Sequence, residues 1–283
     1  MFPERFTFSF ANWVNAWVDT LVTQYGAAFR QVSDSLLWSV VQLESALRAL
    51  PWWLVLLLVG ALAWHATRRV SGALVIAGLL FLVGAMGLWD KLMQTVALML
   101  VATVIAVLMG IPLGILAARS NRLRAVLMPL LDVMQTLPSF VYLIPVLMLF
   151  GLGKVPAILA TVIYAVPPLI RLTDLGIRQV DAEVLEATDA FGASHWQRLF
   201  GVQLPLALPS IMAGINQTVM MALSMVVIAS MIGARGLGEE VLIGIQTLNV
   251  GKGLEAGLAI VILAVAIDRI TQAYGRPERV QGQ

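Results

Sequence analysis

Apolar residues gather into seven runs, at 51–66, 72–89, 92–118, 125–150, 155–171, 209–232 and 254–270, separated by shorter polar segments. Runs of about 15 to 27 residues are too long and too uniform for the ten-residue alternation of barrel strands, so each predicts a helix able to cross or enter a bilayer. Ahead of them, Phe10, Trp13, Val14, Trp17 and Leu21 recur at helical spacing with Asn12, Asn15 and Asp19 between them. That spacing predicts an amphipathic helix at the membrane surface within residues 1–50. One passage breaks the pattern: "EATDAFGASHWQRLFGVQLPLALPSI", residues 186–211, is half polar, with a glycine in its middle and two prolines near its end.

Composition agrees with the pattern. Sixty per cent of the residues are hydrophobic and 12% charged, with a mean hydropathy of +0.90, whereas soluble domains carry about 25% charged residues. The chain is therefore expected to be an all-α, multi-pass protein of the cell (inner) membrane. Residues 1–50 carry no basic, apolar and small-residue signal-peptide sequence. Cysteine is absent, which excludes disulfides and thiolate chemistry. Charge sets the expected orientation. Arg68, Arg69, Arg119, Arg122, Arg124, Arg171, Arg178, Arg198, Arg269, Arg276 and Arg279 fall on one side of the seven runs. Lys91, Lys154, Arg235 and Lys252 fall in loops on the other. Positive residues favour the cytoplasm, so the N-terminus is expected outside and the C-terminus inside. Trp52, Trp53, Trp64 and Trp89 stand at run ends, where an aromatic belt would lie.

The unusual passage then belongs to a cytoplasmic loop, residues 171–208. Asp181 is placed to cap a first helix that carries Glu183 in its first turn, and Gly192 to close it in a left-handed conformation. Ser194 and Gln197 make a capping-box pattern for a second short helix, expected to stop before Pro205. Val184, Leu185, Thr188 and Phe191 give the first helix an apolar face with nothing in the loop to bury it, so a partner or the membrane surface is expected to cover it.

The same residues carry a resemblance. Glu186, Ala187 and Thr188, then three residues, Gly192, nine residues, and Val202, Gln203, Leu204 and Pro205 resemble the signature loop of ABC-importer permeases. That loop reads Glu-Ala-Ala, three residues, Gly, nine residues, Ile, any residue, Leu-Pro; here Thr188 replaces an alanine and Val202 the isoleucine. "MQTLPSFVYLIPVLMLFGLG" (134–153), "VPPLIRLTDLGI" (166–177) and "AGINQTVMMALSMVVIASMIGARGLG" (213–238) are similar to permeases for glycine betaine, proline betaine and choline, over roughly residues 85–275. The resemblance implies a type I ABC-importer permease fold. It also implies that Glu186, Ala187, Thr188, Phe191, Gly192, Leu204 and Pro205 engage a separate ATPase, which binds ATP and Mg. A homodimer is implied, and a separate external binding protein, since the chain ends soon after its last run. The expected organisation is an external segment 1–50, two peripheral helices over 51–89, a permease core over 90–275 and a tail over 276–283.

A phosphate-binding loop is absent: Gly153-Lys154 has Met148 where the first glycine belongs and Val155 after the lysine. No lysine falls inside a run, which excludes a Schiff-base protein. His65 and His195 have no metal-ligand spacing, so no cofactor or metal is expected in this chain. Residues 171–208 hold five acids against three arginines, which excludes nucleic-acid binding. Polar residues inside the runs need partners or water. Gln135, Thr136, Ser139 and Tyr142, beside Pro138 and Pro145, and Asn216, Gln217 and Thr218, with Ser224 and Ser230 beyond, are candidate translocation-pathway residues or packing hydrogen bonds. Cation–π recognition of a quaternary ammonium needs aromatic rings; most tryptophans fall at the interfaces and only Phe140, Tyr142 and Tyr164 are candidates within the core, so tight recognition is expected in the binding protein. Asp132 is the one acid read as well inside a run. Two other readings stay open: an importer of the same build for an amino acid or sulfonate, and a heptahelical receptor.

Overall fold

The computed structural model describes residues 11–275. Twelve α-helices follow in order: α1 (Ala11–Ala49), α2 (Trp52–Thr67), α3 (Val70–Ala85), α4 (Trp89–Arg119), α5 (Asn121–Thr136), α6 (Ser139–Phe150), α7 (Lys154–Arg178), α8 (Ala182–Ala190), α9 (His195–Arg198), α10 (Leu204–Ala229), α11 (Leu237–Gln246) and α12 (Val250–Tyr274). No strand occurs among the described residues. Four helices are long and apolar enough to cross a membrane: α4, α7, the continuous helix from His195 to Ala234, and α12. Two bent pairs, α1 with α2 (103°) and α5 with α6 (99°), and the shorter α3 make up the remaining apolar segments.

Both bends fall at a Leu-Pro dipeptide. A residue before proline is pushed out of the helical region by the prolyl ring, and Leu137 accordingly sits at φ −70°, ψ 135°. The run at 125–150, expected as one helix, is therefore two. Leu50-Pro51 makes the same break between α1 and α2. The amphipathic helix expected near residues 10–21 is only the start of a 39-residue α1; Phe10 lies outside the described residues.

At the centre stands α7, packed between α4 and α10. Lipid tails compete with side chains for apolar contact, so close approach of backbones through small residues decides such packing. Gly114 of α4 faces α7 so tightly that a Cβ there would lie 2.5 Å from the Thr173 Cβ and 2.9 Å from the Ile170 carbonyl oxygen. Gly176 of α7 faces α10 in the same way, 2.7 Å from the Ser210 Cβ.

One end of the bundle holds the turn between α2 and α3, the α4–α5 turn, the end of α7, α8, α9 and the end of α12. Lys91, Lys154 and Lys252 all stand at the opposite end, not in loops as expected but in the first turns of α4, α7 and α12. Lys91 pairs with Glu239 and Glu240, Lys252 with Glu240 (3.0 Å), and Lys154 with Glu44 of α1. These pairs explain α11, which the hydrophobic pattern did not predict. Its two glutamates are neutralised by lysines from α4 and α12, Leu237 is fully buried, and the Leu237 N–H donates to Thr95 Oγ1 at 2.9 Å.

Candidate functional site

Residues 179–203 form the most exposed folded part of the loop-bearing end. The region is shorter than the expected 171–208, because α7 runs on to Arg178. The reason for that extension is Asp174. Its carboxylate is 3% exposed and accepts from Arg124 of α5 (3.0 Å) and Arg178 (2.8 Å). Arg178 also donates to the Ala117 carbonyl at 2.9 Å. Asp174 with its two arginines thus ties the ends of α4, α5 and α7 into a platform, and loss of both arginines would leave a buried charge uncompensated.

From that platform, α8 projects with none of its residues buried. Asp181 caps it, accepting from the Glu183 N–H at 2.9 Å. Gly192 closes it at φ +76°, with its N–H on the Asp189 carbonyl at 2.9 Å and the Ala193 N–H on Thr188 at 3.3 Å. The left-handed conformation costs other residues strain that glycine escapes. Glu186 and Ala187 are exposed and Thr188 is half-buried, its hydroxyl on the Val184 carbonyl at 2.6 Å. Phe191 is 93% exposed. This phenyl ring stands in the open on a capped, glycine-closed helix, uncovered by any described residue.

Past the turn, Ser194 and Gln197 form the complete capping box. Arg198 reaches back to Asp189 at 2.8 Å and fixes α9 against α8. Trp196 stacks on Phe200 with ring centres 5.7 Å apart, and the Arg119 guanidinium lies 4.9 Å from the Trp196 ring. Leu199 is buried with Leu169, Ile177, Ala207 and Ile211, so this segment is locked into the α7–α10 contact. The second helix does not stop before Pro205 as expected. A π turn over Leu199–Gln203 carries it into α10, and the Leu204 N–H reaches the Leu199 carbonyl. The wide turn accommodates the prolyl ring and its missing donor. Leu204 is half-buried and Pro205 exposed at the start of α10.

The intramembrane polar residues divide into groups. Gln135 and Thr136 end α5 and are exposed, Ser139 begins α6, and Tyr142 is buried with its hydroxyl donating across the bend to the Met134 carbonyl. Tyr142 and Tyr164 meet edge to face at 5.9 Å. Phe140 is 53% exposed. Asn216 joins α10 to α12 instead, bonded to Thr271 and to Asp268 (3.4 Å). Gln217 is exposed, and Thr218 is fully buried with no partner for its hydroxyl among the described residues. Asp132, read as lone, pairs with Arg171. Asp268, near the end of the 254–270 run, is another acid within a run, and Gln272 one turn on donates to it at 2.7 Å.

Three apolar helices packed through glycine, with a short exposed helix between the last two, fit the membrane subunit of a type I ABC importer. A chain of the MetNI methionine ABC transporter, solved in inward-facing conformations, shares this fold at a TM-score of 0.58, over 65% of this chain and 94% of that one, with 23% identity. The family described as binding-protein-dependent transport system inner membrane component matches residues 110–276, and the chain belongs to that family. It is a transport subunit of the inner membrane. Among its relatives is the glycine betaine/proline betaine transport system permease protein ProW of Escherichia coli K12, 46% identical over 96% of this chain and 76% of that protein. The glycine betaine transport system permease protein OpuAB of Bacillus subtilis 168 is 45% identical over 93% of each chain. The glycine betaine/carnitine transport permease protein GbuB of Listeria monocytogenes is 44% identical over 97% of this chain and 98% of that protein.

Proposed function

We propose that this chain forms the membrane pathway of an ATP-driven importer for glycine betaine and related quaternary ammonium compounds, with α8 as the element that docks into a separate ATPase. The observation that carries the coupling role is the unburied α8 with Phe191 93% exposed. Glu186, Ala187, Thr188 and Phe191 form its docking face, Gly192 sets its end, and Leu204 and Pro205 join it to α10. Closure of the ATPase on bound ATP and Mg pulls α8. Arg198–Asp189 and the buried Leu199 pass that pull to α7 and α10, whose close packing leaves rigid-body movement as the response. A second copy of the chain completes the pathway. An external binding protein delivers the substrate at the end opposite α8, and the arginine-rich end faces the cytoplasm.

Substrate class rests on the relatives. Those named for glycine betaine stand at 44–46% identity over most of the chain. A choline transport permease of Bacillus subtilis, OpuBB, is 34% identical over 64% of it. Gln135, Thr136, Ser139, Tyr142, Gln217 and Thr218 are the pathway candidates. Asn216 has its hydrogen bonds committed to α12 and serves packing. The test is uptake of labelled glycine betaine, proline betaine and choline into cells without their own importers. The cells express this chain with its ATPase and binding protein, and a parallel strain carries an inactive ATPase. ATPase-dependent uptake with glycine betaine preferred is expected. Uptake that persists with the inactive ATPase would refute the mechanism, and an assembled complex that moves none of the three would refute the substrate class.

A further inference from the structure

A cavity of about 890 Å³ lies between the α2–α3 turn and the end of α12, away from α8 and the α5–α6 break. Arg68, Arg69 and Arg269 line it, with Ser71 beside them, and no carboxylate is among its described lining residues. Four other arginines at this end are paired, Arg124 and Arg178 with Asp174, Arg171 with Asp132 and Arg198 with Asp189, while Arg119 lies over the Trp196 ring and Arg122 stands exposed on α5. The three around the cavity make no side-chain ion pair or hydrogen bond with a described residue. Gathering three unpaired like charges is unfavourable by itself, and an anion between them reverses the sign of that interaction.

The rest of the wall identifies the anion's body. Val75, Ile76, Leu79 and Val265 continue the cavity along α3 and α12, and Val75 and Val265 are 60% and 40% exposed. In helices that lie in a bilayer, exposed valines meet acyl chains. A free phosphate would satisfy the guanidiniums but leave this apolar wall uncovered and most of the volume empty. We infer that the cavity binds an anionic glycerophospholipid, its phosphate held by Arg68, Arg69 and Arg269 and its acyl chains against Val75, Leu79 and Val265. The lipid bridges the α2–α3 hairpin to α12, which meet directly at the 3.0 Å contact of His65 with Tyr274. The inference requires these helices to lie in the bilayer and is independent of the docking role of α8.

The test is lipid retention by the full-length chain in mild detergent, read by native mass spectrometry with phosphatidylglycerol and phosphatidylcholine in competition. A basic residue near an anionic surface is worth about 1 kcal/mol, or about fivefold in affinity. Arg69→Gln with Arg269→Gln is expected to weaken phosphatidylglycerol by about 25-fold and phosphatidylcholine by less, because the choline ammonium already offsets the phosphate that the arginines meet. Arg269→Gln alone, expected to cost about fivefold, answers the same question if the double variant fails to accumulate. Arg122→Gln removes an exposed arginine of α5 outside the cavity and should keep the wild-type preference. Undiminished preference in the cavity variants overturns the inference, and so does an equal loss in Arg122→Gln. Displacement of the lipid by millimolar inorganic phosphate would overturn the lipid assignment in favour of a simple anion site.

Discussion

Gly192→Ala separates backbone strain from every other effect at the end of α8. At φ +76°, an added Cβ would meet no atom within 4 Å, so the substitution creates no clash within the chain and its cost is conformational. Holding a non-glycine residue in the left-handed region costs about 1–2 kcal/mol. The ratio of closed to open turn then falls roughly 5- to 30-fold. If α8 must be closed to dock, affinity for the ATPase falls by up to the same factor. Asparagine tolerates this conformation better than alanine, so Gly192→Asn should lie between alanine and wild type. Gly192→Asp adds a carboxylate near Glu186 and Asp189, and should abolish transport while leaving membrane insertion intact. The assay has three readings: amount of chain in the membrane fraction, ATPase subunit recovered with it, and ATPase-dependent uptake of glycine betaine. Insertion should be unchanged across the series, with recovery and uptake falling in the order Gly, Asn, Ala, Asp. Alanine behaving as wild type would refute the strain argument. Asparagine as damaging as alanine would show that bulk at the docking face, not backbone conformation, is what the site rejects.

Two further outcomes concern stability. Gly114→Ala forces a methyl against Thr173 and the Ile170 carbonyl and should cost about 1–3 kcal/mol through overpacking. Gly257→Ala on α12, with nothing within 4 Å, should not lower the melting temperature in detergent; equal losses in both would refute the close-packing account. The Glu240 carboxyl stands between burial, which raises its pKa, and the ammonium groups of Lys252 and Lys91, which outweigh burial and hold it below its ordinary 4.5. A depressed carboxyl contributes stability that is present above the unfolded-state value and is lost as pH falls through the folded-state value. Melting temperature should therefore drop as pH is taken below about 4.5, and Glu240→Gln should flatten that drop. An unchanged slope would remove Glu240 from the account.

The local signals of the coupling region were readable because each needs only neighbours in sequence. Asp181, the Ser194–Gln197 box and the left-handed Gly192 act within a few residues and have the predicted geometry. The apolar runs were readable for a similar reason, since a bilayer imposes its thickness on each helix separately. Even the break at Leu137-Pro138 is local, and was missed only because composition over 125–150 hides one residue's φ and ψ.

What the sequence by itself determined is the all-helical membrane class, the approximate positions of the apolar runs and the capped loop. Only the tertiary structure decided which charges are paired. Asp174 with Arg124 and Arg178 joins two helices, and Glu240 with Lys91 and Lys252 joins three, and hydropathy read along the chain counts each as a penalty. The same holds for α11, whose glutamates look exposed until lysines from α4 and α12 reach them. It holds for Asn216, whose partners Asp268 and Thr271 lie about 50 residues away in sequence. A side chain's charge and shape are written in the sequence, but the free energy of burying it depends on what other helices bring within hydrogen-bonding distance.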